Sequence, residues 1–148
     1  MDKLSEILKF AIDREIEAAE FYRNLKERIS NVPAKTMLDE FEKMELSHAD
    51  LLKTMDINQV SNYNQQKVNN LKLSDYMVEP VLHEESSFQD ILVVAMIREE
   101  AAAKLYSELS NQAENTNVKN LFLKLADEEL KHKLSLETLY DEKINYEF

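Results

Sequence analysis

Glutamate and histidine three residues apart on a helix lie one turn from each other on the same face, where both can reach a single metal ion. The chain contains this arrangement twice, as Glu45-Leu46-Ser47-His48 and as Glu129-Leu130-Lys131-His132, with an offset of 84 residues. Two further glutamates, Glu15 and Glu99, are separated by the same 84. A lone Glu-x-x-His is a weak signal that many amphipathic helices carry by chance. Three coincident offsets among residue types that bind transition metals point instead to a duplicated metal site.

The six residues all fall on apolar stripes. In the first segment, from about Leu4 to about Ile29, Leu4, Ile7, Leu8, Ala11, Ala18, Tyr22, Leu25 and Ile29 follow helical spacing, and Glu15 interrupts them. A second segment, from about Ala34 to Met55, reads Met37, Leu38, Phe41, Glu45, His48, Leu51, Leu52, Met55. The third, Phe88 to about Ala113, repeats the first, with Glu99 in the place of Glu15. The fourth, Val118 to about Asp141, carries Leu121, Phe122, Leu125, Glu129, His132, Leu136 and Leu139. Buried carboxylates are prohibitively costly unless neutralised. No Lys or Arg occupies a matching apolar position. Arg14 and Arg98 adjoin the glutamates, but one residue turns about 100° around a helix. Two divalent cations against four carboxylates and two neutral imidazoles sum to zero charge, which an apolar bundle tolerates. One Glu from each of two helices plus Glu-x-x-His from each of the other two is the ligand pattern of di-iron and di-manganese bundles. Hard carboxylates with two imidazoles suit iron or manganese, with zinc as a lesser alternative.

The positioning elements follow from the repeat. Residues 2–57 and 86–141 align without a gap and share sixteen identities, including Arg14/Arg98, Tyr22/Tyr106 and all three ligand pairs. Short turns at Asn31-Val32-Pro33 and at 115–117 make each half an antiparallel hairpin; Pro33 biases Val32 away from helical dihedrals and can start the next helix. The connection over 58–85 is polar and far longer than an ordinary loop between helices. It is long enough to run the length of a bundle and make the second and third helices parallel. Leu71 to Met77 is expected to form a short helix within it, ended by Pro80, and His83 there reads as a surface residue. The expectation is an all-α, single-domain four-helix bundle over 1–148: hairpin 2–57, crossover 58–85, hairpin 86–141.

Composition narrows the function classes. With no Gly and two Pro in 148 residues, hairpin-rich β architectures are disfavoured. The absence of Cys excludes disulfides, thiolate zinc sites and iron–sulfur or rubredoxin-type centres within these residues. A net charge of −11 makes nucleic acid and anionic membrane poor partners. No apolar run approaches the ~20 residues of a membrane span, and the first residues lack the pattern of a signal peptide, so a cytoplasmic location is expected.

The stretches Ala11 to Tyr22, Glu45 to His48, Glu99 to Tyr106 and Glu129 to His132 resemble the rubrerythrin branch of the ferritin-like superfamily. The resemblance implies a non-haem di-iron carboxylate centre with two iron ions, in which Glu45 and Glu129 bridge. Glu15 with His48 and Glu99 with His132 would complete the ends, although sequence leaves open which His joins which Glu. It also implies that Tyr22 and Tyr106 donate hydrogen bonds to the carboxylates; the alternative is that both are plain core aromatics. Two departures from the family stand out. Rubrerythrins commonly carry a Cys-rich rubredoxin domain, and an extra carboxylate one turn from the third-helix Glu, where this chain has Met96 and Ala102. The resemblance implies an oxidoreductase reacting with hydrogen peroxide or O₂, re-reduced by a separate rubredoxin-like donor protein and forming a homodimer. The alternatives are iron binding and ferroxidation without substrate turnover, hydroxylation of another substrate, or a metal-free helical interaction module.

Overall fold

The structure, a computed structural model, describes residues 3–55, 65–77 and 86–142, apart from the side chains of Gln65 and Gln66. Four long helices account for most of them: α1 (Lys3–Lys26), α2 (Val32–Lys53), α4 (Phe88–Gln112) and α5 (Thr116–Glu142). Between the second and fourth lie a six-residue helix, α3 (Gln65–Asn70), and a 3₁₀ turn, Leu73–Tyr76. The expected all-α bundle of two repeated hairpins with a long crossover is what the chain forms. His83 and Pro80 lie outside the described residues.

The hairpin turns show why the repeat folds as it does. Asn31 caps α2 by accepting a hydrogen bond at Oδ1 from the Ala34 amide, 2.9 Å. Asn115, its equivalent 84 residues on, accepts from the Val118 amide at 3.1 Å, and from Asn117 at 2.9 Å. Each cap satisfies amide groups that the first helical turn leaves without an acceptor. In consequence α2 starts at Val32, two residues earlier than apolar spacing alone indicates, and Pro33 sits in its first turn, where a missing N–H costs nothing. Ser87 caps α4 through the Asp90 amide. Lys26, near the end of α1, reaches Asp39 and Glu42 of α2 at 2.8 and 3.1 Å, closing the first hairpin on the outside. Held between Lys26 and Lys43, the Asp39 carboxyl titrates at about 2.

Apolar packing falls into two separate clusters. One joins Leu4, Ile7 and Ala11 of α1 with Leu52, with Leu105, Tyr106 and Leu109 of α4, and with Val118, Phe122 and Leu125 of α5. The other joins Tyr22, Leu25, Leu38 and Phe41 with Ile91, Leu92, Leu136 and Leu139. The start of α1 therefore meets the end of α4, so these two run antiparallel, and α2 runs parallel to α4 as the long crossover requires. Val68 and Leu71 of the crossover are buried in the first cluster and seal that end. The helices are closely packed within each hairpin and much less so between hairpins. The short helix expected at Leu71–Met77 is instead split. Leu71 faces the core as a connector after α3, and only Leu73–Tyr76 turns helically.

Candidate metal centre

Between the two apolar clusters, half-way along every long helix, lie Glu15, Glu45, His48, Glu99, Glu129 and His132. Each is at most 6% exposed. The structure brings all six together, one Glu from α1, one from α4, and a Glu–His pair from each of α2 and α5. Their donor atoms form two quartets: Glu15, Glu45, His48 and Glu129, and Glu45, Glu99, Glu129 and His132, the atoms of each lying within 4.8 Å of one another. Glu45 and Glu129 belong to both. The Glu and His that complete each quartet come from the same hairpin, the pairing that the family resemblance implies.

The contacts are short. His48 Nδ1 lies 2.7 Å from Glu129 Oε1 and 3.4 Å from Glu15 Oε2. His132 Nδ1 lies 2.9 Å from Glu45 Oε1 and 3.7 Å from Glu99 Oε1. Yet one atom from each of the six residues, including both Nδ1 atoms, is buried without a hydrogen-bond partner. Buried polar atoms are ordinarily satisfied, and leaving one unmade costs about 1–3 kcal/mol. Six such atoms, crowded together but not aligned to bond one another, have the disposition of lone pairs that share a central acceptor. Burial, then repulsion from the other carboxylates, holds Glu45 and Glu129 well above the usual glutamate range. Burial pushes Glu99 the same way, but the adjacent Glu129 and His132 and the Tyr22 hydroxyl carry it below that range. Burial lowers His48, and the nearby carboxylates of Glu15 and Glu128 more than offset this. Four hard carboxylate donors and two imidazoles fit a pair of divalent cations, which would relieve the repulsion that protons otherwise must.

Tyr22 and Tyr106 act across the bundle. Tyr22 of α1 donates to Glu99 Oε1 on α4, and Tyr106 of α4 donates to Glu15 Oε1 on α1, the latter at 2.5 Å. Each hydroxyl ties one oxygen of the opposite hairpin's glutamate and leaves Oε2 turned inward and unpartnered. Burial, followed by the nearby carboxylates, raises both phenols well above their ordinary value, so both remain protonated donors. These two bonds pin the hairpins together at the level of the site. Sequence gave the tyrosines an alternative reading as core aromatics; they are in fact both core residues and donors.

A cavity of about 40 Å³ opens onto the carboxylates between α1 and α4. Its walls include Ala11, Ala18, Ala101, Ala102 and Leu105, with Tyr76 of the crossover and the paired Arg14 and Arg98 around it. Both arginines have partners of their own: Arg14 lies over Phe10 and pairs with Glu17 at 2.9 Å, and Arg98 lies over Phe21. Ala102, where a family carboxylate was missed, is part of the wall. The space suits about one or two molecules the size of water. Sequence reasoning overlooked this cavity and also Glu128, whose Oε2 lies 2.5 Å from His48 Nε2. Glu128 adjoins a ligand and is turned about 100° from it, and that offset was the available signal. It has no counterpart in the repeat, where position 44 is Met.

Residues 90–147 match the Rubrerythrin family model. Over that segment the chain is similar to rubrerythrins. The matched segment contains Glu99, Tyr106, Glu129 and His132, half of the site. Along nearly its whole length the chain is also similar to a hypothetical protein from Pyrococcus furiosus, with 29% identity, 98% of this chain and 92% of that one covered, and a TM-score of 0.70. No curated protein matches. With the rubrerythrin-like match, the buried carboxylate–histidine cluster points to a di-metal site. Among the described residues, no helix is long and apolar enough to cross a membrane.

Proposed function

We propose that the six residues hold two iron ions and that the protein is an oxidoreductase acting on hydrogen peroxide or O₂. The observation that carries this reading is the set of six buried, unpartnered donor atoms arranged as two quartets sharing Glu45 and Glu129. When bound there, two ferrous ions supply one electron each to a small oxidant. Glu45 and Glu129, common to both quartets, would hold both ions, while Glu15 with His48 would hold one and Glu99 with His132 the other. Tyr22 and Tyr106 fix the terminal glutamates, so the ligand geometry is set before metal arrives. The small alanine-lined cavity beside the carboxylates is of a size for hydrogen peroxide or O₂. The electrons for turnover would come from outside these residues, which include no Cys, for example from a rubredoxin-like donor protein. A homodimer fits the outward stripe of Leu123, Leu130 and Leu134 on α5.

The test is anaerobic loading with Fe²⁺ followed by rapid mixing with hydrogen peroxide or with O₂, monitored by near-ultraviolet absorbance. Oxidation by peroxide is expected to outpace oxidation by O₂. Equal or slower oxidation by peroxide removes the peroxidase assignment and leaves ferroxidation.

A further inference from the structure

The two halves of the site match in every ligand and in both tyrosines, but they differ behind the histidines. His48 is held through its outer nitrogen, Nε2, by Glu128 Oε2 at 2.5 Å. The side chain of Glu128 is 19% exposed, and Lys124 Nζ lies 4.0 Å from its other oxygen. At the repeat-equivalent position of Glu128 stands Met44, which brings no carboxylate to His132. Among the described residues, His132 has carboxylates only at Nδ1, and its ring instead stacks on Phe41, with centroids 4.1 Å apart and planes at 29°. The equivalent of Phe41 is Leu125. One imidazole is thus held by a charged acceptor and the other by an aromatic face.

These supports do different things to a donor nitrogen. A carboxylate accepting Nε2–H fixes the tautomer that leaves the Nδ1 lone pair facing the site, and it adds electron density to the ring. An aromatic face fixes the plane of the ring but selects neither tautomer. Glu128 also brings a fifth negative charge to one end of the cluster and none to the other. Resting on the reading of the six residues as a metal centre, we propose that Glu128 is a positioning residue that makes the Glu15–His48 end the tighter of two unequal divalent-cation sites. The chain then fills in order, Glu15–His48 end first, and passes through a one-ion form.

Cobalt(II) is a suitable probe because its absorption reports ligation and its paramagnetism shifts the imidazole N–H resonances. Titration from zero to two equivalents per chain is expected to show two steps whose affinities differ by at least ~10-fold. His132→Ala should leave the first equivalent in place, and His48→Ala should abolish it. Glu128→Ala should weaken the first step by about 10- to 100-fold without moving the second. Glu128→Gln, which keeps an acceptor oxygen and drops the charge, should fall between Glu128→Ala and the parent chain. The shifted His48 N–H resonance should exchange with water faster in Glu128→Ala, a change that a purely structural role would not produce. Two equal steps in the parent chain, or equal weakening of both steps by Glu128→Ala, would overturn the inequality while leaving the metal centre intact. Failure of the parent chain to bind cobalt stoichiometrically would overturn the metal centre itself.

Discussion

At either end of the bundle the four helices meet through aliphatic and aromatic side chains: Leu109, Phe122 and Leu125 at one end, Leu38, Leu92 and Leu136 at the other. In the layer between them they meet through four glutamates, two histidines and two tyrosine hydroxyls. The ends supply the burial that makes the chain fold. The middle does the reverse, because its carboxylates repel one another and leave donor atoms unsatisfied. Placing that layer between two apolar clusters, where no single cluster is interrupted, lets the fold carry a site that works against it. The difference teaches that stability and chemistry are separated along the bundle axis rather than mixed through one core.

The separation is tested most severely by two truncations of opposite sign. Leu109→Ala, at a fully buried end position, should destabilise the metal-free protein by about 2–5 kcal/mol in urea unfolding. Glu129→Ala should abolish stoichiometric iron binding, measured by metal analysis, yet leave the metal-free melting temperature unchanged or higher, because a buried charge disappears with it. If metal-free Glu129→Ala unfolds as easily as Leu109→Ala, the middle layer is part of the structural support and the comparison fails.

Next in size is the response to pH. Glu45 and Glu129 have raised values in the folded chain, so the folded state binds their protons more tightly than the unfolded one. Their contribution to stability is complete below the ordinary glutamate value of about 4.3 and is lost as pH rises through their raised values. The metal-free protein should therefore melt higher at pH 5 than at pH 8. The iron-loaded protein should do the opposite, since protons compete for the imidazoles and carboxylates as pH falls through about 6. A stabilisation by iron that stays constant from pH 8 to pH 5 would contradict the assignment of His48 and His132 as ligands.

Smaller effects are expected from the groups that join the two kinds of layer. Tyr106→Phe and Tyr22→Phe each remove one donor to a terminal glutamate and should each lower metal affinity by roughly 10-fold in equilibrium titrations. Each should cost the metal-free fold no more than about 1–2 kcal/mol. Smallest of all, Lys26→Ala breaks the half-buried pairs with Asp39 and Glu42 and should lower the melting temperature only slightly while leaving the metal content unchanged.

Much of this was legible from particular residues. Glu15 and Glu99 stood out because carboxylates do not belong on an apolar stripe, and the offset of 84 tied them to Glu45 and His48 and to Glu129 and His132. The Asn31 and Asn115 caps share that offset, so the turns were fixed by the same repeat. The 3₁₀ turn at Leu73–Tyr76 was harder to read, because the connector carries too few apolar residues for periodicity to distinguish a helix from a turn. Glu128 escaped because the repeat drew attention to what the halves share, and this residue lies where they differ. Its value depends on the neighbouring α2 presenting His48 to it.

The sequence by itself determined the four long helices, the hairpin repeat and the six Glu and His residues of the buried cluster, since helical periodicity and residue chemistry are local properties that spacing records. The tertiary structure decided which glutamate shares each histidine's quartet and that each tyrosine serves the opposite hairpin's glutamate. It also set the small cavity between α1 and α4 and, among the described residues, brought a carboxylate to the outer nitrogen of His48 and not to that of His132. Those outcomes depend on how two hairpins approach each other, at distances of a few ångströms between residues some 80 positions apart. No spacing within one helix contains that information.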